Sequence, residues 1–118
     1  MKIFKKLSRS VKGRVAIISG AGSGMGEATA KVFAAEGVKV VATDVNQEEV
    51  NRVSSEIIKS GGECMPFLLD VTDNTSIKNC IDATIETYKT IDFVINNAGI
   101  SSVTSVDDEN FENYWHDT

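Results

Sequence analysis

Four short apolar runs, separated by stretches of helical spacing, constrain this chain more than any other feature. The runs lie at 14–19, 38–43, 63–69 and 91–95. Between the first two, Met25, Ala28, Val32 and Ala35 recur every three or four residues over 24–36, and Gly37 follows as a stop signal. The second helical stretch opens at Asn46 or Gln47, carries Glu48 and Glu49 where the helix dipole favours anions, and has Val50, Val53 and Ile57 as its buried stripe. Gly61 and Gly62 end it. A third helix is expected over 74–88, with Ile77, Ile81, Ile85 and Tyr88 on one face. Strand–helix alternation of this kind gives a parallel sheet covered on both faces. The expected architecture is therefore α/β, a doubly wound parallel sheet with strand order 3-2-1-4. Pro66 puts the third strand at an edge, because proline cannot donate to a ladder. Residues 100–106 read as a polar loop, and a last helix is expected from Asp107 or Asp108, with Phe111, Tyr114 and Trp115.

At 118 residues the chain is one domain at most. We expect a basic arm over 1–11 and an incomplete nucleotide-binding domain over 12–118. Six of the twelve basic residues precede residue 15, and the first acid is Glu27. From residue 15 onward 6 basic residues face 17 acidic ones. Nucleic-acid binding needs Lys and Arg to neutralise phosphates, so the acidic body argues against it. Ile3, Phe4, Leu7 and Val11 lie at roughly helical spacing, which suits contact with an anionic membrane or a weak targeting role. The favoured reading is a solvated arm ahead of the first strand. No run reaches the roughly 18–20 apolar residues of a membrane span. Cys64 and Cys80 form no Cys-x-x-Cys clip and lie in apolar contexts. Buried thiols in a reducing compartment are the expectation, and with no clear targeting signal read in the chain the expected location is cytoplasmic.

The first apolar run ends in Ser19-Gly20-Ala21-Gly22-Ser23-Gly24-Met25-Gly26. Glycines at every second position between a strand and a helix permit positive φ and a close approach of backbone to ligand. The N–H groups and dipole of the following helix favour an anion there. No Gly-Lys-Ser/Thr follows, so this is not a P-loop. The segment points to the pyrophosphate of a dinucleotide. Asp44 stands eighteen residues after Gly26, at the end of the second strand. A carboxylate there accepts the adenosine ribose hydroxyls and repels a 2′-phosphate. With no Arg or Lys at Ser23 or Val45, NAD(H) is favoured over NADP(H). Asp70 and Val71 follow the third strand, beside an adenine or, equally, as a helix-capping turn. Asn96-Asn97-Ala98-Gly99 follows the fourth, suiting close backbone approach to a ligand or a hydrogen-bonded turn that bridges strands. All four turns fall at strand C-termini, where open α/β sheets bind ligands.

Together these elements resemble the short-chain dehydrogenase/reductase family, classical type, from Lys12 to Thr118. Residues 19–26 resemble its Thr-Gly-x-x-x-Gly-x-Gly, with Ser19 keeping the hydroxyl, and Asn96-Asn97-Ala98-Gly99 matches its Asn-Asn-Ala-Gly. The resemblance implies a Rossmann-type fold and NAD-dependent hydride transfer between nicotinamide and an alcohol or ketone. It implies that Gly20, Gly22, Ser23, Gly24, Met25 and Gly26 line the pyrophosphate. Asp44 and Val45 would meet the adenosine ribose, Asp70 and Val71 the adenine, and Asn97, Ala98 and Gly99 the ribose next to the nicotinamide. Homo-oligomers are common in the family, and no metal is implied.

The family's Tyr-x-x-x-Lys is absent, since neither Tyr88 nor Tyr114 has Lys four positions later. In that pair Tyr is the general acid/base and Lys lowers its pKa. His116, Ser101 and Ser102 are poor substitutes. The chain is therefore expected to be the N-terminal, cofactor-binding part of a longer enzyme, inactive alone, with the apolar edge of its fourth strand open. The competing reading is a non-catalytic nucleotide- or partner-binding fragment. A third, an S-adenosylmethionine-dependent methyltransferase, is opposed by Asn-Asn-Ala-Gly and the glycine spacing.

Overall fold

The structure, a computed structural model, describes residues 10–97 and the backbone of 102–104. Chain order is β1 (Val15–Ser19), α1 (Gly24–Ala35), β2 (Lys39–Asp44), α2 (Gln47–Lys59), β3 (Glu63–Leu68), α3 (Asn74–Tyr88), β4 (Phe93–Asn96) and β5 (Ser102–Thr104). The sheet order is β3-β2-β1-β4-β5. The first four strands pair in parallel, as the alternation requires, and Pro66 sits on the edge strand β3. Residues 1–9 of the basic arm, and the expected helix beyond Asp107, lie outside the described residues.

Two apolar layers sandwich the sheet. On one face Ala16, Ile18, Val40 and Ala42 meet Ala30 and Ala34 of α1 and Val50, Val53 and Ile57 of α2. On the other, Ile17, Val41 and Val94 meet Ile77 and Cys80 of α3. Successive residues of β1 thus supply opposite faces, the period-two alternation of a strand buried on both sides. Cys64 belongs to the first layer and Cys80 to the second, so the sheet itself separates the two free thiols. Burial pushes the Cys80 thiol up to about 12, which leaves it an unreactive core side chain.

Three expectations are corrected. Residues 100–106 are not simply a loop: β5 pairs antiparallel with β4, with Ser102 opposite Asn96 and Thr104 opposite Val94. The fourth strand's edge is therefore covered, and an otherwise unpaired row of backbone groups is satisfied. The apolar spacing in α1 does not mark its buried face. Met25 is 73% and Val32 60% exposed, while Gly26, Ala30 and Ala34 are buried about half a turn away. Small residues face the sheet because the helix start lies against the glycine turn, and a Cβ on Gly26 would run into the Gly20 carbonyl. In α3, Ile77, Cys80 and Thr84 are buried and Ile85 is exposed. Repeated steps of four drift from the 3.6-residue period, carrying Ile85 about 80° round the helix from Ile77. The stripe of α2 is buried as expected, and Asn46 caps that helix by accepting from the Glu49 N–H.

Candidate dinucleotide site

The C-terminal ends of β1, β2 and β4 bring the glycine turn, Asp44 and Asn97 together. Gly20 takes φ +65° as the chain leaves β1, and the Ala21 N–H donates to the Thr43 carbonyl at 2.9 Å. The Gly22 N–H donates to Asp44 Oδ2 at 2.9 Å, and the Asn46 N–H to Asp44 Oδ1 at 3.2 Å. Two backbone amides therefore set the plane of a half-buried carboxylate. Each oxygen keeps a lone pair for a further donor. A Cβ on Gly22 would lie 2.8 Å from Asp44 Oδ2 and 2.9 Å from the Glu49 Cβ, so contact this close requires glycine.

Ser23 is the extended N-cap of α1, and its side chain makes no capping bond. It thus leaves the first-turn N–H groups to another acceptor, in a helix whose dipole favours an anion. Gly24 has φ +58°, and nothing lies within 4 Å of where its Cβ would be. Open space, an N-cap hydroxyl that does not cap, and glycine packed on glycine at Gly26 fit a pyrophosphate cradle. Met25 is exposed at the same helix start.

The outer turns differ in character. Val45 is 69% exposed beside Asp44. Asp70 Oδ1 accepts from the Thr72 Oγ1 at 2.6 Å and the Thr72 N–H at 2.9 Å, and those bonds hold its carboxyl below the usual carboxylate range. Capping of α3 falls instead to Asp73, which accepts from the Thr75 and Ser76 N–H groups. Val71 is partly buried against the α3 layer. A cleft of about 230 Å³ is lined by Ser19, Gly20, Asp44, Val45, Asp70 and Val71 among others. That is below the roughly 300–1,000 Å³ of a complete ligand pocket, so it suits one end of a long ligand. A larger groove of about 600 Å³, between the C-terminal halves of α1 and α2, holds none of the predicted residues.

Ser19 joins β1 to β4. Its Oγ donates to Asn96 Oδ1 at 2.8 Å and accepts from the Asn97 N–H at 3.1 Å, while Asn97 Nδ2 donates to the Ser19 carbonyl at 3.3 Å. Ala98 and Gly99 lie outside the described residues.

The sequence reading missed a charged network behind the turn. Arg52 of α2 makes a fork-to-fork pair with Glu27 of α1, Nη2–Oε1 at 2.9 Å and Nη1–Oε2 at 3.2 Å. It also reaches Glu49 and Glu56, and its Nη2 donates to the Gly22 carbonyl at 3.1 Å. Lys31 bridges Glu27 and Glu56. Bonds from Arg52, then Lys31, hold the Glu27 carboxyl at about 2. The i, i+3 and i, i+4 spacings within each helix are legible in sequence. The pairing between helices is not. Among the described residues there is no cluster of three metal-ligating side chains, and no helix is long and apolar enough to cross a membrane.

Comparison with known proteins agrees with this fold. The chain matches the short chain dehydrogenase family over residues 14–118. It is 39% identical over 108 residues to 2,5-dichloro-2,5-cyclohexadiene-1,4-diol dehydrogenase LinX of Sphingobium indicum, covering 92% of this chain and 43% of that protein. A dehydrogenase/reductase of Sinorhizobium meliloti superposes with TM-score 0.76 at 35% identity, covering 85% of this chain and 40% of that one. The 3-ketoacyl-(acyl-carrier-protein) reductase of Brucella melitensis, solved with NADH, superposes with TM-score 0.70 at 37% identity, covering 77% and 36%. The chain spans less than half the length of each of these relatives. With the family match covering residues 14–118 and solved relatives sharing the fold, the chain belongs to the short chain dehydrogenase family.

Proposed function

We propose that this chain is the NAD(H)-binding half of an oxidoreductase that moves hydride between nicotinamide and a small alcohol or carbonyl. One observation carries the reading: the Asp44 carboxylate stands at the end of β2, oriented by the Gly22 and Asn46 amides, beside the open helix start. On this reading Gly20, Ser23, Gly24, Met25 and Gly26 line the pyrophosphate, while Gly22, whose N–H is taken by Asp44, shapes the turn and orients that carboxylate. Asp44 and Val45 meet the adenosine ribose, and Asp70 and Val71 flank the adenine. Asn97, Ala98 and Gly99 run beside the ribose next to the nicotinamide, with Asn97 steadied by Ser19. The bound dinucleotide would supply the hydride chemistry, and the residues of this chain bind and orient it.

NAD is preferred to NADP on charge. Asp44 would repel a 2′-phosphate, and Arg52, which lies against the turn, is already paired with Glu27, Glu49 and Glu56. No tyrosine in the chain has Lys four positions later, so these 118 residues would bind cofactor without turning over substrate. A cytoplasmic setting is proposed from the two buried free thiols.

Calorimetric titration of the purified chain with NAD and, separately, NADP tests the reading. Saturable binding that favours NAD is expected. A folded chain that binds neither dinucleotide would leave a nucleotide-free scaffold and overturn it.

A further inference from the structure

We infer that Arg52 is a positioning residue of the NAD site, acting through the Gly22 backbone. The inference rests on the cofactor reading above. Gly22 is held from both sides: its N–H by Asp44 Oδ2 at 2.9 Å, its carbonyl by Arg52 Nη2 at 3.1 Å. Glycine has the widest φ/ψ freedom of any residue, so an unpinned Gly22 would let both neighbouring peptide planes swing. The two bonds remove that freedom before any ligand arrives. A trans peptide is planar, with N–H and C=O pointing opposite ways. Turning the Gly22 carbonyl toward Arg52 therefore turns the Ser23 N–H away from α2. With the Gly22–Ser23 peptide plane fixed on Arg52 and the Ala21–Gly22 plane fixed on Asp44, the φ and ψ of Gly22 between them are set, so loosening the first plane also loosens the Gly22 N–H that orients Asp44.

Only a guanidinium does this and also satisfies the surrounding carboxylates. Arg has five N–H donors in a rigid fork. Here Nε serves Glu49, Nη1 serves Glu27 and Glu56, and Nη2 serves Glu27, Glu49 and the Gly22 carbonyl. Glu27 belongs to the first turn of α1, so the fork ties the helix start, the glycine turn and α2 into one unit. Lysine carries the charge but not the fork.

The test uses the full 118-residue chain, with amide hydrogen exchange read by NMR without ligand and calorimetric titration with NAD and NADP. The variants are Arg52→Lys, Arg52→Gln and, as a control, Glu56→Gln, which removes ion pairs of the same network without touching Gly22. Both Arg52 variants are expected to speed Gly22 amide exchange about tenfold and to weaken NAD binding by a similar factor, the usual scale for one charge-assisted hydrogen bond. NADP, which gains nothing from an oriented Asp44, should weaken less, so the preference narrows. Glu56→Gln should leave exchange at Gly22 and the NAD:NADP ratio unchanged. Wild-type NAD affinity in the Arg52 variants, an equal effect from Glu56→Gln, or loss of fold in both Arg52 variants would overturn the inference while the cofactor reading stood. If the wild-type chain binds neither dinucleotide, the cofactor reading fails, and the inference fails with it.

Discussion

Ser19 Oγ and Asn96 Oδ1 meet at 2.8 Å across the ends of β1 and β4, and both residues are almost fully buried. The same hydroxyl accepts the Asn97 N–H, so one oxygen sets the path of the chain as it leaves β4. Removing it takes the acceptor from the part-buried Asn97 N–H and one donor from Asn96 Oδ1, and a donor left without its acceptor away from water costs about 1–3 kcal/mol. Ser19→Ala should lose stability on that scale in urea denaturation. Ser19→Thr keeps the hydroxyl and should restore most of it. Equal losses in both variants would show that packing, and not the hydrogen bond, sets the requirement.

Asp44→Ala should weaken NAD by about tenfold or more, the worth of hydrogen bonds to a charged acceptor. NADP should be affected less, or should gain, because a like charge near its 2′-phosphate is removed. Titration of the variant with both dinucleotides reads this directly. Equal losses would count against the ribose role.

The parallel alternation, the edge position of β3 and the glycine turn at a strand end were legible because each follows from local pattern, while the order 3-2-1-4 came from the winding rules for crossovers and the convergence of the turn with Asp44 and Asn97 came from that order. Apolar runs, turn residues and proline's missing N–H act within a few residues. The buried face of α1 was not legible. Met25 and Val32 look like core by hydropathy, yet Gly26, Ala30 and Ala34 face the sheet because the turn from Gly20 brings the helix too close for larger side chains. The reach of Arg52 to Gly22 was hidden for a related reason. It spans 30 positions in sequence and depends on how α1 and α2 lie side by side, which no periodicity encodes. Ser102–Thr104 pairs because β4 offers an edge, and its own three residues carry little signal.

Gly24 and Gly26 should fail differently. A Cβ on Gly26 meets the Gly20 carbonyl, so Gly26→Ala must push α1 off the turn. Overpacking of that kind costs about 1–3 kcal/mol or more, and a lowered melting temperature is expected. A Cβ at Gly24 meets nothing within 4 Å, so Gly24→Val should still fold, at a cost of more than about 1–2 kcal/mol because a β-branched residue is strained at this left-handed φ. Its side chain would occupy the space assigned to the pyrophosphate, and NAD binding should be abolished. Unchanged affinity in Gly24→Val would sink that assignment.

Acid should dissolve the network behind the turn in a defined window. Glu27 is held at about 2 by Arg52 and Lys31, against an ordinary 4.5. Glu56 is lowered by Lys31 and Arg52 in the same direction. A carboxyl whose folded pKa is depressed binds fewer protons folded than unfolded, so its contribution is complete above the unfolded value and fades as pH falls. The stabilisation from Glu27 should therefore be intact at neutral pH and be lost progressively from about 4.5 down to about 2. Melting temperatures across that range should drop more steeply in the wild type than in Glu27→Gln, which has no carboxyl to protonate at that site. The variant should also be the less stable protein at pH 7, with the two curves converging in acid. Parallel curves would mean that the Glu27–Arg52 fork, although well formed, adds nothing to the folded state beyond what solvent supplies.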